Sequence, residues 1–228
     1  MADRKFPACE FDENLLRDVK LPDAGKSYRP THATTLLAWY SRPSKSHKKV
    51  LELGCATAAV SAYLALRYPI EVTAIEKDEN LFKLAQQTVQ ANNLKNITIH
   101  NITCAQVRGF FHAESFDMVI ANPPHHLTNI PSPDPLRRTT RTADFQTAIE
   151  FIDATAFLLR NRGIFVYILP PMHFSFWMTE FTKRRLQPKR LVPIYGSEKS
   201  NAQFILMKGV KNGGIGMIVE PPITLKTV

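Results

Sequence analysis

The sequence is short of cysteines, of long apolar runs and of acids relative to bases, and each shortage excludes something. Its three cysteines, Cys9, Cys55 and Cys104, are odd in number, widely spaced and form no CxxC pair. That argues against a disulfide framework and against structural zinc, both of which need patterned thiols. No apolar stretch approaches the roughly 20 residues that cross a bilayer, so no membrane partner is expected. The opening "MADRKFPACEFDENLL" lacks the apolar core of a signal peptide, which predicts a cytoplasmic chain. Acids number 20 against 29 Lys and Arg, leaving a net charge of +9. That sign suits a polyanion such as nucleic acid, although a basic protein with no such partner has the same composition.

What is present, 228 residues, suffices for one large α/β domain with a sizeable core. Residues 1–30 read as an irregular lead-in with a short internal helix, and 31–228 as the domain. "THATTLLAWYS" (31–41) has apolar residues at helical spacing, with Thr31 available as a cap. After the polar connector "RPSKSHKK", short β-like runs alternate with helical ones. The runs "VLEL", "EVTAI", "ITIH" and "FDMVIA" read as strands, and "AAVSAYLALRY" and "ENLFKLAQQTVQANN" as the helices between them. A helix over 144–161, ended by Gly163, leads to the strand "IFVYILP", then to the helix "FSFWMTEFTKRRL" and the strand "RLVPIY". Such alternation predicts a doubly wound, mostly parallel, seven-stranded Rossmann-like sheet with helices on both faces. The last runs, "QFILMKG" and "GMIVE", flank an Asn-Gly step, which predicts a closing antiparallel hairpin.

In open α/β sheets ligands bind at the carboxyl ends of the strands, beside the point where strand order reverses. The first strand carries Glu52 near its end and Gly54 at the turn, then Cys55-Ala56-Thr57-Ala58. Dinucleotide enzymes need G-x-G-x-x-G here, so that the backbone can approach a pyrophosphate. A single glycine argues against NAD. The second strand ends in Glu76, whose carboxylate can accept hydrogen bonds from both hydroxyls of an adenosine ribose. Each acid alone reads more readily as a surface carboxylate than as a ligand-binding one. In order, at adjacent strand ends, they favour an adenosine cofactor without phosphates, and S-adenosylmethionine fits best.

The fourth strand runs into Asn122-Pro123-Pro124-His125. A Pro-Pro pair has no N–H, so its backbone offers only acceptors, and Asn122 adds a carbonyl oxygen. An exocyclic amine conjugated to a ring has two N–H donors and a weakly nucleophilic lone pair. Acceptors that take both N–H groups aim the nitrogen at a methyl sulfonium and stabilise the positive charge that builds on it. The bland alternative is a turn that stops a strand.

With these motifs on the page, the chain resembles class I S-adenosylmethionine-dependent methyltransferases with an N-P-P-aromatic motif. More narrowly it is similar to the bacterial tRNA1(Val) (adenine-N6) methyltransferase family. The likeness runs from "YRPTHATTLLAW" through "LELG", "AIE" and "IANPP" to "PDPLRRTTRTADFQTAIEFI", "LQPKRLVPIYGSEKSNAQFILMKG" and "GIGMIVEPPITL". It implies an enzyme that methylates adenine N6 just 3′ of the anticodon. Glu52, Gly54, Cys55 and Ala56 would form the cofactor loop, Glu76 would hold the ribose, and Asn101 would reach the cofactor's adenine. Asn122, Pro123 and Pro124 would grip the amine, and His125 would stack on the base where the family has Tyr or Phe. The Tyr28-Arg29 step would meet the substrate. The family's glycines in the first loop are here Ala56 and Ala58, and its acid after the third strand is absent.

Arg137, Arg138 and Arg141 follow the amine-holding loop and are candidates for phosphate contact; the alternative is a solvated loop. The basic run 183–190 has a stronger bland explanation, since cations favour a helix C-terminus. His125 and His126 are adjacent, a poor geometry for sharing one metal, so no metal is expected. Cys55 has no evident base partner and is not expected to be a nucleophile. A monomer is expected. Rival readings are an N-P-P methyltransferase of rRNA guanine N2 or protein glutamine, and a non-catalytic RNA-binding protein on the same scaffold.

Overall fold

The computed structural model describes residues 11–23, 29–127, 142, 143, 145–197 and 199–225. Helix α1 (His32–Tyr40) starts where expected. The Thr31 side chain accepts from the Thr34 N–H while Thr34 returns a bond to the Thr31 backbone, a reciprocal cap. Then follow β1 (Lys49–Leu53), α2 (Ala59–Arg67), β2 (Glu71–Ile75), α3 (Glu79–Ala91), β3 (Ile97–His100) and β4 (Phe116–Ala121). Asp78 caps α3 by accepting from the N–H groups of Asn80 and Leu81. The second half holds α4 (Phe145–Leu158), β5 (Leu159–Leu169), α5 (Phe174–Lys183), β6 (Leu186–Tyr195) and β7 (Ala202–Lys211). Two short strands, β8 (Ile218–Val219) and β9 (Ile223–Thr224), close the chain.

The sheet order is β8-β6-β7-β5-β4-β1-β2-β3, with β9 also on β6 and β7 running antiparallel to its neighbours. Among the described residues seven longer strands match the expected number, and two short ones, β8 within the run "GMIVE" and β9, extend the sheet to nine. Alternate residues of the central strands face opposite layers. Val50, Met118, Ile120, Val166 and Ile168 join α1 and α2 in one core, which also takes in Leu16 and Val19 from the lead-in. Leu51, Leu53, Val119, Ala121, Phe165 and Tyr167 join α4 and α5 in the other. With a core on each face, β4 is buried at every position, which is why it reads as an apolar run, interrupted only by Asp117, whose carboxylate accepts from the N–H groups of Lys48 and Lys49.

Three local expectations need correction. In the described part of the lead-in, residues 11–23, 29 and 30, the chain forms turns at 13–18 and no helix. The helix expected over 144–161 ends at Leu158, and β5 begins at once, with an irregularity in its pairing to β4 between Phe116 and Met118. The hairpin is made by β6 and β7, not by the runs on either side of the Asn-Gly step. Both edges of β7 are already taken, by β5 and β6, so the final run has nothing left to pair with there. Asn212 turns the chain with φ 54°, and β8 pairs parallel to the far edge of β6.

Candidate active site

The chain builds β1, β2 and β3 outward in one direction, then returns to place β4 on the other side of β1. The order therefore reverses between β1 and β4, and their carboxyl ends open the crevice where a ligand fits.

The loop from β1 to α2 turns through three left-handed residues, Gly54 (φ 66°), Ala56 (φ 48°) and Ala58 (φ 58°). The positive φ favours glycine at 54, and a Cβ there would also stand 3.0 Å from the tip of the Phe151 ring, a tight contact that the ring would have to relieve. The alanines hold the same conformation against a cost of roughly 1–2 kcal/mol each. Ala58 is the N-cap of α2 and has no side chain to offer the helix. Glu52 takes over that task. Its carboxylate accepts from the Ser61 N–H at 2.9 Å and from the Ser61 hydroxyl at 2.5 Å. Glu52 is only 3% exposed, and burial pushes its carboxyl up to about 8 against the pull of the Ser61 bonds.

Glu76, also buried, ties two loops together. One carboxylate oxygen accepts from the Ala56 N–H at 2.8 Å and the other from the Asp78 N–H at 2.9 Å. Burial raises this carboxyl too, opposed by those backbone bonds. Asn101, at the end of β3, donates its amide N–H groups to the carbonyls of Glu76 at 2.8 Å and Lys77 at 3.2 Å. It thereby fixes the backbone that carries Glu76. The Cys55 thiol is pushed up by burial and then by the fields of Glu52 and Glu76, the opposite of what a nucleophilic thiolate needs.

At the end of β4, the Asn122 side-chain oxygen lies 2.8 Å from His125 Nε2. An amide oxygen can only accept, so this bond puts the hydrogen on Nε2. The imidazole also rests against Phe204 of β7, ring centroids 5.1 Å apart and planes inclined by 55°. Phe204 was not expected at the site. Its signal in the sequence is weak, an aromatic opening the run "QFILMKG". Only the pairing of Ile205 with Leu169, at the carboxyl end of β5, carries it to this edge.

The structure thus brings Glu52, Gly54, Cys55, Ala56, Glu76 and Asn101 to the ends of β1–β3, and Asn122 to His125 to the end of neighbouring β4. Arg29 is exposed just ahead of the Thr31 cap. Tyr28, Arg137, Arg138 and Arg141 lie outside the described residues. Among the described residues no group of His, Cys, Asp and Glu is arranged to hold a metal ion. Among them, too, no helix is long and apolar enough to cross a membrane.

A loop with a single glycine gives a pyrophosphate little close backbone approach, and Glu76, tied by two backbone N–H groups, still has lone pairs for hydroxyl donors. Fold and site together define a class I methyltransferase. The family model of the methyltransferase small domain matches residues 31–169, and the chain belongs to that family. Its cofactor is S-adenosyl-L-methionine, whose ribose hydroxyls are donors of the kind a carboxylate such as Glu76 can accept. A Pseudoalteromonas translucida protein named tRNA1(Val) (adenine(37)-N6)-methyltransferase is 27% identical over 157 residues, covering 68% of this chain and 66% of that one. One of the same name from a Flavobacteriaceae bacterium is 28% identical over 183 residues, covering 78% and 76%. Among solved structures, a "predicted O-methyltransferase" from Agrobacterium tumefaciens superposes with a TM-score of 0.69 at 16% identity, covering 84% of this chain and 86% of that one.

Proposed function

We propose that this chain methylates the exocyclic N6 amine of an adenine in tRNA, at the position 3′ of the anticodon in tRNA1(Val), as a cytoplasmic monomer. The observation that carries the reading is the Asn122 carbonyl, which already holds the N–H of a flat ring at 2.8 Å, with only β1 between its strand and the one that ends at Glu76. Imidazole there stands in for the edge of a base. The names of the relatives select adenine N6 and tRNA from the amines such a holder can take.

In this reading Glu76 receives the ribose hydroxyls on lone pairs its two backbone bonds leave over. Glu52, Gly54, Cys55 and Ala56 border the methionine end, and Asn101 keeps the Glu76 segment in place. S-adenosyl-L-methionine supplies an electrophilic methyl group when bound. Asn122 and the carbonyls beside Pro123 and Pro124 accept from the two amine N–H groups and point the nitrogen lone pair along the transfer line. Charge that develops on nitrogen strengthens those bonds in the transition state. The methylated nitrogen sheds a proton to solvent, so no strong base is required. The base displaces the His125 ring from Asn122 and stacks against it. Arg29, and in the sequence Tyr28, Arg137, Arg138 and Arg141, contact the RNA. Phosphate contacts of this kind make binding weaken steeply with salt.

The test is incubation of the purified chain with tRNA and labelled cofactor, followed by nucleoside mass spectrometry. N6-methyladenosine next to the anticodon is expected. Label on guanine N2 or on a glutamine peptide, with none on adenine, overturns the reading.

A further inference from the structure

Beyond β5 the chain reads Pro170-Pro171-Met172-His173. This short turn sits on the acceptor side of the crevice. Ala121 pairs with Tyr167, so the chain after β4 and the chain after β5 leave the sheet side by side, the first as Asn122-Pro123-Pro124 and the second as Pro170-Pro171. Leu169 in turn pairs with Ile205, next to the Phe204 that touches His125.

The turn is fixed at both flanks. Two prolines restrict its backbone, and the Phe174 N–H bonds back to the Pro171 carbonyl. The His173 ring meets Phe145 edge-on at 5.6 Å, and Phe145 meets Phe176 at 4.9 Å. Between these anchors Met172 stands 84% exposed. Met172 thus presents a large apolar side chain on a restrained turn, beside the site proposed for the base. Ile215 is more exposed still, at 97%. It follows the far end of antiparallel β7, at the opposite edge of the sheet from Asn122.

An adenine inside a stacked loop cannot reach Asn122 while its faces are covered. Enzymes that work on such a base extrude it, and the space left in the stack favours refilling by an apolar side chain. Met is suited to this: unbranched, polarizable and adaptable in shape. We propose that Met172 is a positioning residue that enters the RNA stack in place of the target adenine when that base swings out to Asn122. The proposal rests on the tRNA adenine reading above.

The test compares two RNAs in single-turnover methylation at saturating cofactor: an anticodon-arm hairpin, and a short single strand whose target adenine is flanked by abasic sites. Met172→Ala is expected to slow the hairpin about tenfold, since unstacking a base requires a few kcal/mol, and to leave the abasic-flanked strand unchanged. Met172→Leu, apolar and of similar size, restores the hairpin rate. With 2-aminopurine as the target base, the fluorescence rise on binding shrinks in the Ala variant. An unchanged hairpin rate, or equal slowing on both RNAs, overturns the role of Met172 while leaving the tRNA reading intact. If the wild-type chain methylates neither RNA, that reading falls and the role of Met172 falls with it.

Discussion

The two sides of the switch point hold their polar groups in different ways. On the β1–β3 side, main chain does most of it. Glu76 accepts from the N–H groups of Ala56 and Asp78, Asn101 donates to the carbonyls of Glu76 and Lys77, and Glu52 accepts from the N–H and hydroxyl of Ser61 at the start of α2. On the β4 side, Asn122 is held by a side chain, His125, which itself leans on another side chain, Phe204. Backbone partners cannot leave without unmaking the loop, so the first side is built before its ligand arrives. An imidazole can rotate away, and trading its N–H for an amine N–H exchanges one hydrogen bond for another at little net cost. In the proposed reading the first half is a fixed cradle and the second a holder whose His125 ring is exchanged for the base.

The sharpest way to break that contrast is Asn122→Ala. Loss of one preorganised acceptor in the transition state is expected to cut single-turnover methyl transfer by about 10²–10³-fold. Cofactor affinity, measured by calorimetry, is expected to stay within about twofold, because that damage stays on the β4 side. Full transfer activity in the variant would reduce Asn122-Pro123-Pro124 to a turn. His125→Phe removes the competitor for the Asn122 oxygen while keeping a ring to stack, and is expected to match or exceed the wild-type rate. A large loss there would give His125 a chemical role instead.

Glu76→Ala does the converse. Losing hydrogen bonds to both ribose hydroxyls is expected to weaken cofactor binding by roughly 2–3 kcal/mol, about one for each neutral bond and more for a charged acceptor. Thermal stability is expected to fall as well, since the N–H groups of Ala56 and Asp78 lose their partner. Calorimetry that finds equal affinity in the variant removes Glu76 from the site. Affinity lost without any change in melting temperature would contradict the cradle, in which ligand contact and loop tie are one carboxylate.

How legible each half was follows from the same difference. β2, β3 and β4 stand at the residues their apolar patterns predict, and Glu52, Gly54 and Glu76 stand at strand ends, because those placements depend on short-range periodicity. The groups that Glu52 and Glu76 bind were not legible. A carboxylate that reads as a ligand for ribose is also a structural acceptor, and nothing in its spacing says so. On the β4 side the Asn-Pro-Pro motif was plain, but Phe204 was out of reach, since it arrives through an antiparallel strand some eighty residues later. The Asn-Gly step misled for a related reason. A local turn signal says nothing about whether the strand before it still has a free edge.

The smallest effect tests the alanines that stand where the resembling family has glycine. Ala56 and Ala58 share a left-handed backbone, and relief of that strain by glycine is expected to be worth about 1 kcal/mol net of the greater freedom glycine has when unfolded. Their methyl groups differ. Ala58 is fully buried in a small cluster with Cys55, Ala74 and Ala85, whereas Ala56 is exposed. A methyl of that kind contributes about 0.8 kcal/mol by burial, nearly offsetting its strain. The cluster therefore accounts for alanine at 58; nothing in the structure accounts for the methyl at 56. Ala56→Gly is expected to raise the melting temperature by about 2–4 °C, the usual response of a chain this size to 1 kcal/mol. Ala58→Gly should leave it nearly unchanged. Equal shifts in both variants would mean that the cluster around Ala58 does not offset strain. A fall in Ala56→Gly would mean that the fixed cradle needs its alanine for stiffness, and that its rigidity comes from restricted backbone more than from the Glu76 carboxylate.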